Sequence, residues 1–343
     1  MSYEASAAAG RRFRYSLRRR YALTVLAVIG MFHAAVFQAS ATDDASGTAA
    51  QQAAETAGLS YYISAHPYLE EPLKHLIKRI PELRSLRPAA EAEQMLPIIL
   101  MHTGMRVGNF FENIVDLTAH EEVGQKILTH EGSLLAKQQA RYNYFILRNG
   151  QENPPRYEEY RTGGEGNRSE QDGVELGYAI TTGFALKGIY FSPAMQPGST
   201  FRYLGDQMLG ERDTYVVAFA QRPTQTRFWG TVTGEWGTVK ILDQGVAWID
   251  KRTFQILRIR TDLLAAHEEI GLARQTTEVT FSEVQILDVE KALWLPSDAE
   301  VYAEFQGHAF RNEHHYSDYE RFRVTVKMGA PKTYLSCAAR PMQ

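Results

Sequence analysis

From Arg141 onward the chain is written mostly in two-residue alternation, and this more than anything else limits what it can fold into. Tyr142, Tyr144 and Ile146 alternate with Asn143, Phe145 and Leu147, and Arg156–Arg161 forms a second short run beyond Pro154-Pro155. Further runs follow over 201–209, 214–220, 227–233, 238–242, 276–287, 293–305 and 310–328. Successive side chains of a strand point to opposite faces, so a period of two marks a pleated strand with one dry and one wet face. About ten such runs with turn residues between them predict an antiparallel meander. Phe322, Val324 and Val326 against Arg321, Arg323, Thr325 and Lys327 is the cleanest alternation of all.

At the centre lies Gly245–Arg260. Val246 and Trp248 share one face, and Ala247 and Ile249 the other. Asp250-Lys251-Arg252-Thr253 breaks the run. An aspartate opening a turn can hold the backbone two residues on, so this segment predicts a hairpin with Asp250 as turn-former.

Residues 57–137 read as helical instead. Leu73, Leu76, Ile77 and Ile80 fall on one helical face, and Pro81 and Pro88 stop that helix. A second helix is expected over 93–105, with Pro97 in its first turn, and Val107–Val115 continues at helical spacing. Thr118-Ala119-His120-Glu121 has the form of a capping box and predicts a helix through Val123, Ile127 and Leu128.

Ten sequential strands with a dry face need that face covered, either by closing the sheet or by placing helices on it. The expected fold class is therefore α+β: a strongly curved antiparallel sheet, an unclosed half-barrel of about ten strands, with N-terminal helices packed on it. The organisation is a signal peptide at 1–41, a disordered linker at 42–56, the helical segment at 57–137, the half-barrel at 138–330 and a tail at 331–343.

The head of the chain carries this assignment. Six arginines lie among the first 41 residues, ahead of an apolar run from Tyr21 to about Phe37 and the small-x-small triplet Ala39-Ser40-Ala41. That is the pattern of a Sec-type signal peptide cleaved near Ala41, and it predicts a periplasmic or secreted protein; the competing reading is an uncleaved anchor. Without this head the chain carries 31 basic and 39 acidic residues, a balance unsuited to nucleic acid. Cys337 is the only cysteine, so the fold has no intramolecular disulfide and no cysteine-based zinc site.

Chemistry-bearing motifs are sparse. The sequence has no Gly-x-Ser-x-Gly elbow, P-loop or Rossmann glycine run. His308, His314 and His315 lie near Glu304, Glu313 and Asp318, but adjacent strand residues face opposite ways, so a polar edge or loop is expected there and no metal. Glu158, Glu159 and Arg161 read as a solvated edge or a cross-strand ion pair. After both His120-Glu121-Glu122 and His267-Glu268-Glu269, the second histidine a metalloprotease helix needs is replaced by glycine, at 124 and 271. No catalytic residue, metal ligand or cofactor is assigned, and the chain is expected not to be an enzyme.

Asp213-Thr-Tyr-Val-Val-Ala-Phe219, then Gly245-Val-Ala-Trp-Ile-Asp250-x-x-Thr-Phe-x-Ile-x-Arg258, then Trp294-Leu-Pro296 before a strand, resemble the periplasmic outer-membrane lipoprotein-sorting carriers and their half-barrel relatives, across roughly residues 140–328. The resemblance implies an unclosed half-barrel lidded by helices and holding acyl chains or another apolar ligand. Its implied function is that of a non-enzymatic carrier of lipid or lipoprotein acyl chains, with a lipoprotein or membrane-bound protein as partner. A sensor or protein-interaction module on the same fold is the alternative, and an uncharacterised hydrolase a second. Trp248, Trp229, Phe254, Ile256, Phe201, Phe219 and Phe228 are the candidates for lining such a ligand, or else they are core.

Overall fold

The structure is a computed structural model that describes residues 67–129, 131–149, 156–163, 183–234 and 237–322. The expected signal peptide, linker and tail, nearly all of the 163–173 loop and the Val324/Val326 end of the last run lie outside these residues.

One eleven-stranded antiparallel sheet makes up most of the molecule, in the order β1-β5-β6-β9-β10-β11-β12-β13-β2-β3-β4. Its strands are β1 (Arg87–Pro88), β2 (Leu117–Leu128), β3 (Leu134–Asn149), β4 (Arg156–Thr162), β5 (Ser199–Leu209), β6 (Arg212–Gln221), β9 (Asp243–Asp250), β10 (Ile256–Leu263), β11 (Leu272–Val284), β12 (Leu293–Phe305) and β13 (His308–Arg321). The sheet is curved and does not close, because β1 and β4 do not meet. Apolar residues from both ends, Tyr203 on β5 and Ile146 and Tyr157 on β3 and β4, join one buried cluster, so the face they share is the concave one.

Helices cover both faces. Helix α1 (Leu73–Arg79) and the 3-10 turn Pro81–Ser85 lie on the convex side, where Leu76, Ile80 and Leu83 pack on Leu204, Val216, Ala218, Val246 and Trp248. Helix α2 (Ala92–Asn113) lies on the concave side with the segment 184–198. The two helical runs expected at 93–105 and 107–115 are thus one helix, about 33 Å long at 1.5 Å per residue. It runs through Pro97, which stands in its second turn rather than its first.

The expected helix over 118–128 is a strand, and the helical segment ends at Asn113. β2 pairs on one side with β13, from Leu117↔Arg321 to Leu128↔Ala309, and on the other with β3. Its period of two is hidden because the inward positions, otherwise Leu117, Ala119 and Val123, also hold Glu121 and Gln125. The runs at 227–233 and 238–242 also depart from expectation. They form a separate ribbon, β7 (Gly230–Gly234) with β8 (Gly237–Ile241), because β6 pairs directly with β9. The ribbon packs through Val232 and Ile241 on Leu272, Phe305 and Phe310.

The central hairpin is β9–β10. Asp250 Oδ1 accepts from the backbone N–H of Arg252 at 2.9 Å and of Thr253 at 2.8 Å, and from the Thr253 hydroxyl at 3.0 Å, which is the turn-forming role expected of it.

Candidate functional site

The concave interior has an apolar end and a polar end. The apolar end lies beneath α2, whose buried face is Ile99, Thr103, Gly104 and Val107. Gly104 is needed for this seat: a Cβ there would come 2.8 Å from Gln196 Nε2 and 3.1 Å from the Phe191 carbonyl. Below it the aromatics interlock. Phe191 stands 5.2 Å from Phe201 and 5.7 Å from Phe219 between ring centroids, and Tyr190 stands 4.6 Å from Phe219 and 5.2 Å from Phe228. Phe201, Phe219 and Phe228 are thereby brought together as packed interior.

Between α2 and the sheet runs a narrow apolar cleft, lined by Val107, Phe110, Phe111, Ile256, Phe281 and Trp294, with Gly188 on its floor and Arg106 beside it. Its free volume is about 40 Å³, room for a few waters. Few polar bonds tie the helix down: Arg106 Nε donates to the Thr253 carbonyl at 2.9 Å, Gln196 Nε2 to the Leu100 carbonyl at 2.9 Å, and the Tyr157 hydroxyl to the Phe111 carbonyl. On the outer side of α2, Ile98, Met101 and Met105 are exposed at i, i+3 and i+7.

The other sequence candidates are dispersed. Phe254, at φ 57°, is partly buried between His102 of α2 (4.6 Å) and Tyr215 of β6 (5.9 Å). Trp229 is half-buried beneath Lys240 of the β7–β8 ribbon, whose Nζ lies 3.8 Å from the ring centroid. Trp248 lies on the convex face, fully buried under α1, its Nε1 donating to Gln207 Oε1 at 3.2 Å. The sheet therefore separates Trp248 from the cleft.

The polar end is built by β2, β3, β4 and β13. Glu121 of β2 is fully buried and gathers four donors. Arg161 of β4 reaches it through Nε and, at 2.7 Å, through Nη2; the Tyr316 hydroxyl donates at 2.6 Å; and His314 Nδ1 stands 2.8 Å away. Alongside, Glu159 accepts from the Tyr144 hydroxyl and from the backbone N–H of Gly183 (3.0 Å) and Leu186 (3.1 Å). The Phe184 ring covers the group, 4.9 Å from the His314 ring and 6.0 Å from the Arg161 guanidinium carbon.

Burial sets the charges here. Desolvation alone would raise the Glu121 carboxyl, but the Arg161 guanidinium and the His314 contact more than reverse it and hold it at about 2. Burial lowers the pKa of His314 and favours neutral imidazole. It raises that of Glu159, against the hydrogen bonds the carboxylate receives.

Sequence reasoning undervalued this cluster. β13 lies inside the sheet between β12 and β2, so His314 is interior rather than on the expected polar edge, while His315 faces out to Asp298 Oδ1 at 2.9 Å. The expected ion pair of Arg161 exists, but it reaches across β3 to Glu121. The signal that could have found it was one of register: charged residues at inward positions of otherwise apolar strands. Among the described residues, no three histidine, cysteine or acidic side chains stand together as a metal site. Nor is any described helix long and apolar enough to cross a membrane.

No family model and no curated protein matches the chain. Solved structures resemble it distantly, among them the following two. A DUF1329 family protein from Desulfovibrio piger ATCC 29098 is 11% identical, with 68% of this chain and 95% of that one covered at a TM-score of 0.35. The Pseudomonas aeruginosa MucA/MucB complex gives 10% identity, coverage of 64% and 94%, and a TM-score of 0.17. At these scores no residue role is carried across from either.

Proposed function

We propose that this is an exported, non-enzymatic carrier or binding protein for a hydrophobic ligand such as a lipid acyl chain, held between α2 and the concave face of the half-barrel. The observation that carries this reading is the apolar cleft under a helix tied down by few polar bonds. With about 40 Å³ free, the cleft is too narrow for an acyl chain as it stands, and a chain enters as α2 lifts. Each methylene it buries contributes about 0.8 kcal/mol, so a long chain offsets the contacts that the helix gives up. The arginine-rich head and small-x-small triplet of residues 1–41 support export to the periplasm or beyond. Exposed Ile98, Met101 and Met105 would serve as the docking stripe for a lipoprotein or membrane-bound partner. That stripe also favours a second reading, a protein-interaction module that holds no ligand.

Gly188→Leu tests the reading. A Cβ on Gly188 meets Ile256 and Val107 at ordinary contact distances, 3.5 and 3.7 Å, so a larger side chain fills the cleft. Solvent extraction and mass spectrometry of the purified wild type should release lipid, and Gly188→Leu should release at least tenfold less. A wild type that carries no lipid and takes up none from vesicles would leave the interaction module standing instead.

A further inference from the structure

Two atoms of the polar cluster, Arg161 Nη1 and His314 Nε2, are buried without a partner among the described residues. Their side chains are 4% and 2% exposed. The carboxylate of Glu121 can only accept, so His314 Nδ1, 2.8 Å away, carries the imidazole proton and Nε2 is left as a bare acceptor. Arg161 Nη1 can only donate. Both residues bond the same carboxylate oxygen, Glu121 Oε1, so the unmatched donor and the unmatched acceptor belong to neighbouring side chains. Each has given up its bonds to water without replacement, and buried polar atoms in native folds are rarely left so.

Phe184 covers both residues, and the next residue, Ala185, lines the apolar cleft. Consecutive Cα atoms are about 3.8 Å apart, so the cover of the polar end and the wall of the cleft belong to one stretch of chain. The chemistry of the two atoms selects among head groups. An ionised carboxylate or phosphate has no proton for Nε2 and brings negative charge beside Glu121. An ammonium has no acceptor for Nη1. A hydroxyl both donates and accepts through one oxygen.

We propose that Arg161 and His314 form a head-group subsite for a hydroxyl-bearing lipid, whose O–H donates to His314 Nε2 and whose oxygen accepts from Arg161 Nη1. This rests on the reading that the interior takes a hydrophobic ligand. The test titrates the full chain at pH 8 with 1-dodecanol, dodecane and dodecanoate, and follows histidine nitrogens by NMR of ¹⁵N-histidine-labelled wild type. Dodecanol should bind at least tenfold more tightly than the other two and move the His314 Nε2 resonance upfield. His314→Phe should reduce dodecanol to the affinity of dodecane. Equal affinities for dodecanol and dodecane with an unmoved His314 resonance would overturn the subsite and leave the hydrophobic-ligand reading intact. Tightest binding of dodecanoate would replace the hydroxyl by an anion and overturn it too. No binding of any of the three would overturn both.

Discussion

Arg161 of β4 and Glu121 of β2 are joined by a two-point ion pair that reaches over the intervening strand β3, with both side chains buried. A buried pair contributes little beyond what an apolar pair of the same volume would, but removing one partner strands the other charge in a low-dielectric interior. Arg161→Met should therefore cost about 3–5 kcal/mol in urea unfolding. Arg161→Met combined with Glu121→Leu should cost less than the sum of the two single losses, although it leaves the Tyr316 hydroxyl and His314 Nδ1 without their acceptor. A double variant as unstable as the sum of the two single ones would refute the coupling.

The same cluster makes stability depend on pH. The folded pKa of His314 is lowered, so between it and the ordinary value of 6.5 the unfolded chain binds the proton and the folded chain does not. Stability from this group is complete above 6.5 and falls as pH drops below it. Glu121, held at about 2, contributes stability that is present above its ordinary 4.5 and lost as pH falls toward 2. Glu159 acts oppositely, since its pKa is raised in the fold and stability declines as pH rises through it. The difference in Tm between wild type and His314→Phe should accordingly narrow from pH 7 to pH 5. A difference independent of pH would assign His314 no proton linkage.

Trp248 lies on the far side of the sheet from the cleft. Trp248→Ala should cost about 3–5 kcal/mol through the cavity left under α1, yet leave hydrophobic-ligand affinity unchanged at temperatures where the variant is folded. Trp294, which lines the cleft, is the indole whose emission should respond to ligand. Loss of that response in Trp248→Phe, with Trp294 in place, would contradict this geometry.

Gly245 marks the closest packing of the central strands. A Cβ there would fall inside the contact shell of the Arg260 carbonyl and 2.8 Å from two Phe219 ring carbons. Gly245→Ala should destabilise by about 1–3 kcal/mol or more, measured by thermal or urea unfolding, because a ring and a ladder carbonyl must both move. A neutral effect would show that β9 can shift within the sheet.

Asp250 should matter by a different route. Replacing it with alanine leaves the N–H groups of Arg252 and Thr253 without their acceptor. A loss of about 1.5–3 kcal/mol is expected. Amide exchange localised to residues 250–255 would check it.

What the sequence alone determined is local and periodic. Alternation placed most strands of the sheet, the apolar spacing of 73–80 placed α1, and Asp250-Lys251-Arg252-Thr253 set the central turn, because side-chain direction follows from backbone period and short-range hydrogen bonds. A dry face that needed cover then led to a curved sheet with helices on it. Only the tertiary structure decided which face each strand turns inward. That choice put Trp248 under α1 and Ile256 in the cleft, although the two lie eight residues apart in one hairpin. It also turned 117–128 into a strand, since the pairing of β2 with β13 joins segments nearly two hundred residues apart and its polar inward residues, Glu121 and Gln125, mask the alternation. Glu121, Arg161 and His314 meet only through that non-local register, and a one-residue slip would send them all to the opposite face.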